Sequence, residues 1–290
     1  MAEPFSTQNE QAPGKKLGEL YQEHMLLGAA FDEQRRPLRY ANENEQAGAY
    51  VADLTSAQLL LFAGTPAANF AHTAFAGTEL TPGHCSYQAV LTGDGSVADI
   101  PLLARTGTSE YLVLSDSPRQ EVLCAWLSFL AEVSQDGVAP FADMHTQDVT
   151  GSHVLLLVWG PQARSILADY TPSSALPREG EVKSCKLDAI PCIVVGLPKA
   201  QAQGKATGEM RYLLFVPPQR ARALWRSLLS FAEMSPRGWQ GTSEELERCY
   251  PWRARLAESD VLQLGAQDLQ AQGLLRSGQD FVGARGLFAR

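Results

Sequence analysis

Leu61-Phe62-Ala63-Gly64-Thr65-Pro66-Ala67-Ala68-Asn69-Phe70 and Leu157-Val158-Trp159-Gly160-Pro161-Gln162-Ala163-Arg164-Ser165-Ile166 share one pattern, with their glycines 96 positions apart. Each is an apolar run of strand length, then Gly with a nearby Pro, then apolar residues at helical spacing. Pro is tolerated in a first helical turn, where its missing N–H would have had no partner. A second echo follows each copy. Tyr111-Leu112-Val113-Leu114 leads through Pro118 to a helical stretch with Trp126, and Tyr212-Leu213-Leu214-Phe215 leads through Pro217-Pro218 to one with Trp225. The chain reads as two related halves with a ligand site expected between them.

The surrounding chain fits this duplication. Strands are expected at Gln58–Phe62, Tyr111–Leu114, His153–Trp159, Ile190–Leu197 and Tyr212–Val216, and helices at Ala67–Phe75, Arg119–Val133, Ala163–Tyr170 and Arg220–Ala232. Leu17 to Leu27 has helical periodicity, while Asp32 to Asn44 reads as a polar loop. Thr92-Gly93-Asp94-Gly95-Ser96 lies between apolar runs, which is a hairpin signal. The expectation is an α+β fold of two pseudo-repeated lobes with antiparallel sheets and packed helices. The lobes span 18–150 and 151–290, after a polar, disordered tail over 1–17.

Composition excludes several classes. At 290 residues the chain can bury a large core, and 45% apolar with 19% charged residues is ordinary for a globular protein. A net charge of −8 without a Lys/Arg run argues against nucleic acid or an anionic membrane as partner. No apolar stretch reaches bilayer length, and the start lacks the basic-then-apolar layout of a secretory leader. Cys85, Cys124, Cys185, Cys192 and Cys249 have no C-x-x-C spacing and read as reduced thiols, so a cytoplasmic location is expected. The histidines show no metal-ligand spacing, and no metal site is expected. Gly204 to Glu209 lacks phosphate-loop spacing and reads as a hairpin turn. Asp99, at an apolar strand, is either a strand-edge charge or a site residue. These residues alone name no reaction.

Several short motifs occur in the order found in the aminomethyltransferase (T-protein) of the glycine cleavage system and its folate-binding relatives. Leu20-Tyr21-Gln22-Glu23-His24 followed by Gly28-Ala29 resembles the family's opening L-Y-x-x-H-x-x-x-G-A, and Pro37 to Tyr40 its P-x-x-Y. Ala47-Gly48, Asp53-Leu54-Thr55, Gly64 and Ala67 are similar to A-G-x-x-D-[LV]-[ST] and V-x-G-P-x-A. Pro82-Gly83 and Tyr87 through Asp99 resemble P-G-x-x-x-Y…D-G-G-x-x-D-D, and Gly160-Pro161-Gln162-Ala163 resembles Q-G-P-x-A. Thr207-Gly208-Glu209 and Asp280-Phe281-Val282-Gly283 are similar to T-G-E-D-G-[FY]-E and D-F-[IV]-G. The resemblance runs from about residue 20 to 290. It implies a tetrahydrofolate site in a central opening between similar lobes.

Carried over residue by residue, the resemblance gives Asp99 a catalytic role and places Tyr87, Ile100, Leu102, Asp116, Glu209 and Leu213 around the cofactor. It also shows departures. The second acid of the family's D-D is Ile100, the pterin-gripping carboxylate falls on Leu213, and its preceding Tyr falls on Ala206. The Arg-rich stretch survives only as Arg255 and Glu258, out of register, and the family's C-terminal β-barrel is expected to be absent. A buried carboxylate accepting pterin donors is worth about 1.5–3 kcal/mol per charged hydrogen bond. Two functions follow. The favoured one is a folate-dependent aminomethyl or methyl transferase using Asp99, Asp116 and Glu209, with a one-carbon donor and a separate protein subunit as partners. The other is a non-catalytic relative with a degenerate site that acts as a binding or assembly protein. A third reading keeps a pocket for an apolar ligand beside Tyr87, Ile100 and Leu213.

Overall fold

The computed structural model describes residues 18–134, 136–199, 210–258 and 262–289. The expected tail over 1–17 and the expected turn at 204–209 lie outside the described residues. The chain begins with α1 (Tyr21–Leu26) and the strands β1 (Ala29–Phe31), β2 (Pro37–Tyr40) and β3 (Ala49–Asp53). The first repeat then runs through β4 (Gln58–Ala63), α2 (Ala67–Ala74), β5 (His84–Tyr87), β6 (Val90–Leu91), β7 (Val97–Asp99), β8 (Leu102–Gly107), β9 (Glu110–Ser115) and α3 (Gln120–Glu132). After β10 (His145–Asp148), the second repeat has β11 (Val154–Trp159), α4 (Ala163–Ala168), β12 (Val182–Leu187), β13 (Ile190–Gly196), β14 (Tyr212–Val216) and α5 (Pro218–Leu228). The chain continues with β15 (Met234–Pro236) and α6 (Trp239–Cys249), α7 (Trp252–Glu258), α8 (Ala266–Ala271) and α9 (Ala284–Phe288).

Two sheets carry the duplication. One is five-stranded in the order β10-β4-β9-β8-β5, and the other six-stranded in the order β12-β13-β14-β11-β3-β15. Reading from the strand that holds each repeat glycine, β4-β9-β8-β5 matches β11-β14-β13-β12. The outer strands are exchanged: β3 precedes β4 in sequence yet pairs with β11, and β10 precedes β11 yet pairs with β4. Among the described residues, all strand pairings are antiparallel except β15 with β3. A mixed helix and antiparallel-sheet fold of two pseudo-repeated halves is therefore present.

The repeat glycines are where the exchanged strands arrive. Gly64 has φ +112°, and a Cβ there would lie 2.9 Å from the Asp143 carbonyl, just before β10. Gly160 has φ +109°, and its Cβ would lie 2.9 Å from the backbone of Gly48 and Ala49, at the start of β3. An L side chain is disfavoured on both counts. The same sequence signal thus performs the same job twice.

Helices cover the outer faces. Phe62, Phe70, Tyr111, Leu123 and Leu127 join α2 and α3 to the five-stranded sheet. Leu20, Leu156, Val158, Ile166 and Trp225 join α1, α4 and α5 to the six-stranded sheet. The inner faces meet in a third cluster with Leu102, Leu114, Leu157 and Leu213 from the strands. Leu246, Trp252, Leu256, Leu262, Phe281 and Leu287 from the last fifty residues fill the same cluster. One expectation is corrected: the stretch read as a loop over 32–44 contains β2, which pairs with β1. Four residues are too few for a periodic signal, and the strand exists because β1 supplies its hydrogen bonds. No helix among the described residues is long and apolar enough to cross a membrane.

Candidate functional site

The residues singled out in the first half converge at one end of the five-stranded sheet. In register, Tyr87 on β5 pairs with Leu102 on β8, and Leu102 with Leu114 on β9. Asp99 closes β7 beside them. Its carboxylate is fully buried and accepts hydrogen bonds from the Ile100 N–H (2.8 Å), Ser117 Oγ (2.8 Å) and Ser115 Oγ (2.6 Å). Burial raises its pKa, against the pull of these serine and backbone donors. Ser115 ends β9, and the bend that follows brings Ser117 to the same carboxylate, while Asp116 between them in the chain meets a different partner on the other side.

On that other side Asp116 forms an ion pair with Arg253 at 2.7 Å, with side-chain exposures of 10% and 9%. Arg253 stands at the start of α7, next to Trp252, whose ring centroid lies 5.7 Å from its guanidinium. The Tyr87 ring packs against Tyr250 (centroids 4.6 Å) and Trp252 (5.2 Å). Burial pushes the Tyr87 hydroxyl well above the ordinary phenol range. Tyr250 is anchored in turn, its hydroxyl donating to the Pro198 carbonyl at 2.7 Å. A neighbouring pair, Arg211 with Glu245 at 2.7 Å, fixes α6 against β14. Burial would raise the Glu245 carboxyl, but Arg211 and Arg248 hold it below its usual value.

The other predicted residues fall in different places. Ile100 and Leu102 are each 2% exposed and Leu213, on the opposite sheet, is 1% exposed; all three belong to the central apolar cluster. Glu209 lies outside the described residues. Asp99 and Asp116 are neighbours, yet each is engaged by protein groups. Sequence reasoning missed Tyr250, Trp252 and Arg253, which occupy the space facing Tyr87. The run Tyr250-Pro251-Trp252-Arg253 is a visible signal, two aromatic residues beside a cation, but nothing local connects it with Tyr87, 163 positions before Tyr250. Arg255, the cation noted from the motif, makes no such contact among the described residues. No group of His, Cys, Asp and Glu among the described residues is placed to hold a metal ion.

The opening motifs form a separate network beneath the six-stranded sheet. Tyr40 Oη lies 2.9 Å from His24 Nδ1, and His24 Nε2 lies 2.9 Å from Asp53 Oδ2. Asp53 also accepts from the Thr55 hydroxyl, and Thr55 Oγ1 accepts from the Leu155 N–H at 3.2 Å. This chain of contacts ties α1 to β3 and β11. Its role is structural: the groups satisfy one another.

Comparison with known proteins places the arrangement. The family model described as the GCVT N-terminal domain matches residues 21–252. An aminomethyltransferase of Streptomyces coelicolor is 30% identical over 222 residues, covering 72% of this chain and 55% of that protein. One from Thermus thermophilus is 26% identical over 279 residues, covering 87% of this chain and 76% of that protein. The chain thus spans about half the length of the first of these relatives. The crystal structure of the glycine cleavage system aminomethyltransferase T from Bartonella henselae superposes with a TM-score of 0.70 over 93% of this chain and 73% of that one, at 21% identity. That likeness carries the fold, and the family model carries the membership: this chain belongs to the GCVT N-terminal domain family.

Proposed function

We propose that this chain is a non-catalytic member of its family, a cytoplasmic binding or assembly protein that keeps the aminomethyltransferase-like fold without transferring one-carbon groups. The observation that carries the reading is the Asp116–Arg253 pair together with the sealing of Asp99. An acid that handles protons in group transfer must reach the reacting nitrogen. Asp99 is fully buried behind two serines, and Asp116 is neutralised at 2.7 Å by a buried guanidinium.

The described residues do not fit tetrahydrofolate. A pterin presents amide and amino donors along one edge, and burying them unpaired costs about 1–3 kcal/mol each. Leu213 and Ile100 offer no acceptor, and Tyr250 and Trp252 stand against the Tyr87 ring that a flat ligand would face. The transferase reading requires Glu209 to supply the missing carboxylate. The test is anaerobic incubation of the intact chain with tetrahydrofolate and an aminomethyl or methyl donor, following the folate product by chromatography. No product above the protein-free control is expected. Turnover that Glu209→Gln abolishes would restore the transferase assignment.

A further inference from the structure

The duplication copies the neighbourhood of Tyr87 into the second half, and the copy is open. On the first sheet the inner-face row is Tyr87–Leu102–Leu114; on the second it is Ser184–Ile193–Phe215, in the same strand order β12-β13-β14. In the first copy Tyr250, Trp252 and Arg253 cover the row. In the second, a cavity of about 630 Å³ lies over it, lined by His153, Ser184, Lys186, Ile193, Phe215 and Pro217 among others. That volume falls within the usual size of small-molecule sites.

We propose that this cavity binds a small organic carboxylate with an apolar body. Its floor is apolar, formed by the buried Phe215 ring with Ile193 and Pro217. His153 stands edge-on to Phe215, with centroids 6.1 Å apart. Donors stand around the floor, the Lys186 ammonium and the Ser184 hydroxyl, while the Nδ1 of His153 is engaged by Ser152 Oγ at 3.0 Å. Among the described residues, neither Lys186 nor Ser184 has a side-chain partner and no acidic side chain lines the cavity. An ammonium and a hydroxyl beside an apolar floor select a carboxylate over a cation or a neutral polar ligand. Burial lowers the His153 pKa, leaving a neutral ring that presents apolar surface to the ligand body.

The experiment is calorimetric titration of the full chain with octanoate and with phenylacetate, using octan-1-ol as the uncharged control. Ser184 and Lys186 are exposed, so Ser184→Trp and Lys186→Glu leave the core unchanged, and thermal unfolding checks this. Saturable binding of a carboxylate probe is expected, weakened about tenfold by Lys186→Glu and abolished by Ser184→Trp, which sets an aromatic ring where Tyr87 stands in the first copy. Absence of binding by both probes, equal binding to Ser184→Trp, or octan-1-ol binding as tightly as octanoate would overturn the proposal.

Discussion

Replacing Arg253 with Met keeps the length of the side chain and removes its charge. The partner carboxylate of Asp116 is then left with 10% side-chain exposure and no cation. Removing one member of a buried ion pair costs about 3–5 kcal/mol, because the remaining charge stays desolvated. Against a typical total of about 5–15 kcal/mol, that is a large share of the stability of a domain. The loss of the guanidinium over Trp252 adds about 0.5–1 kcal/mol. Asp116→Leu combined with Arg253→Met replaces the pair with apolar groups and is expected to recover most of the loss. Urea unfolding followed by far-ultraviolet circular dichroism measures both variants against the parent chain, and the midpoint shift at constant slope gives each difference. A cost for Arg253→Met below about 1 kcal/mol, or a double variant no better than the single, would refute the reasoning. It would mean that Asp116 is solvated and available to a ligand.

Other expectations rest on different parts of the fold. Gly160→Ala puts a Cβ 2.9 Å from the Gly48 and Ala49 backbone at φ +109° and should cost about 1–3 kcal/mol in urea unfolding. Glu23→Gln breaks the contacts to Arg226 (2.7 Å) and Arg222 (3.2 Å). Both arginines are half exposed or more, so solvent screening keeps the cost at neutral pH small. Arg226 holds the Glu23 carboxyl below its ordinary value of 4.5. The contribution is therefore present above that pH and lost as pH falls through the lowered value, so wild type and Glu23→Gln should converge in stability in acid. Tyr87→Phe should change stability by less than about 0.5 kcal/mol, since the ring contacts remain and the hydroxyl has no hydrogen-bond partner among the described residues; differential scanning calorimetry reads this directly.

Local pattern made the two halves legible. Strand, glycine and helix follow one another within ten residues in each copy, and β14 falls on Tyr212–Val216 as expected. The exchange of β3 and β10 was not legible, because it is a relation between segments about a hundred positions apart. β10 is moreover exposed along its whole length, so it shows no buried face in the sequence. The site was half legible. Asp99 carries its own signal, an acid at an apolar strand beside a hairpin turn, whereas Tyr87 and Asp116 are reached through the family resemblance. Their state was not visible, since the serines that seal Asp99 and the Arg253 that holds Asp116 act only once β9 and α7 are in place. The central filling by residues after 245 is likewise a product of tertiary packing, which short helices such as α8 and α9 do not announce by periodicity.

The most direct measurement is a calorimetric titration of the intact chain with tetrahydrofolate under reducing conditions. With the carboxylates engaged and aromatic rings against Tyr87, no saturable heat is expected up to millimolar ligand. A one-to-one isotherm with micromolar affinity that is lost on Tyr87→Ala would contradict the account.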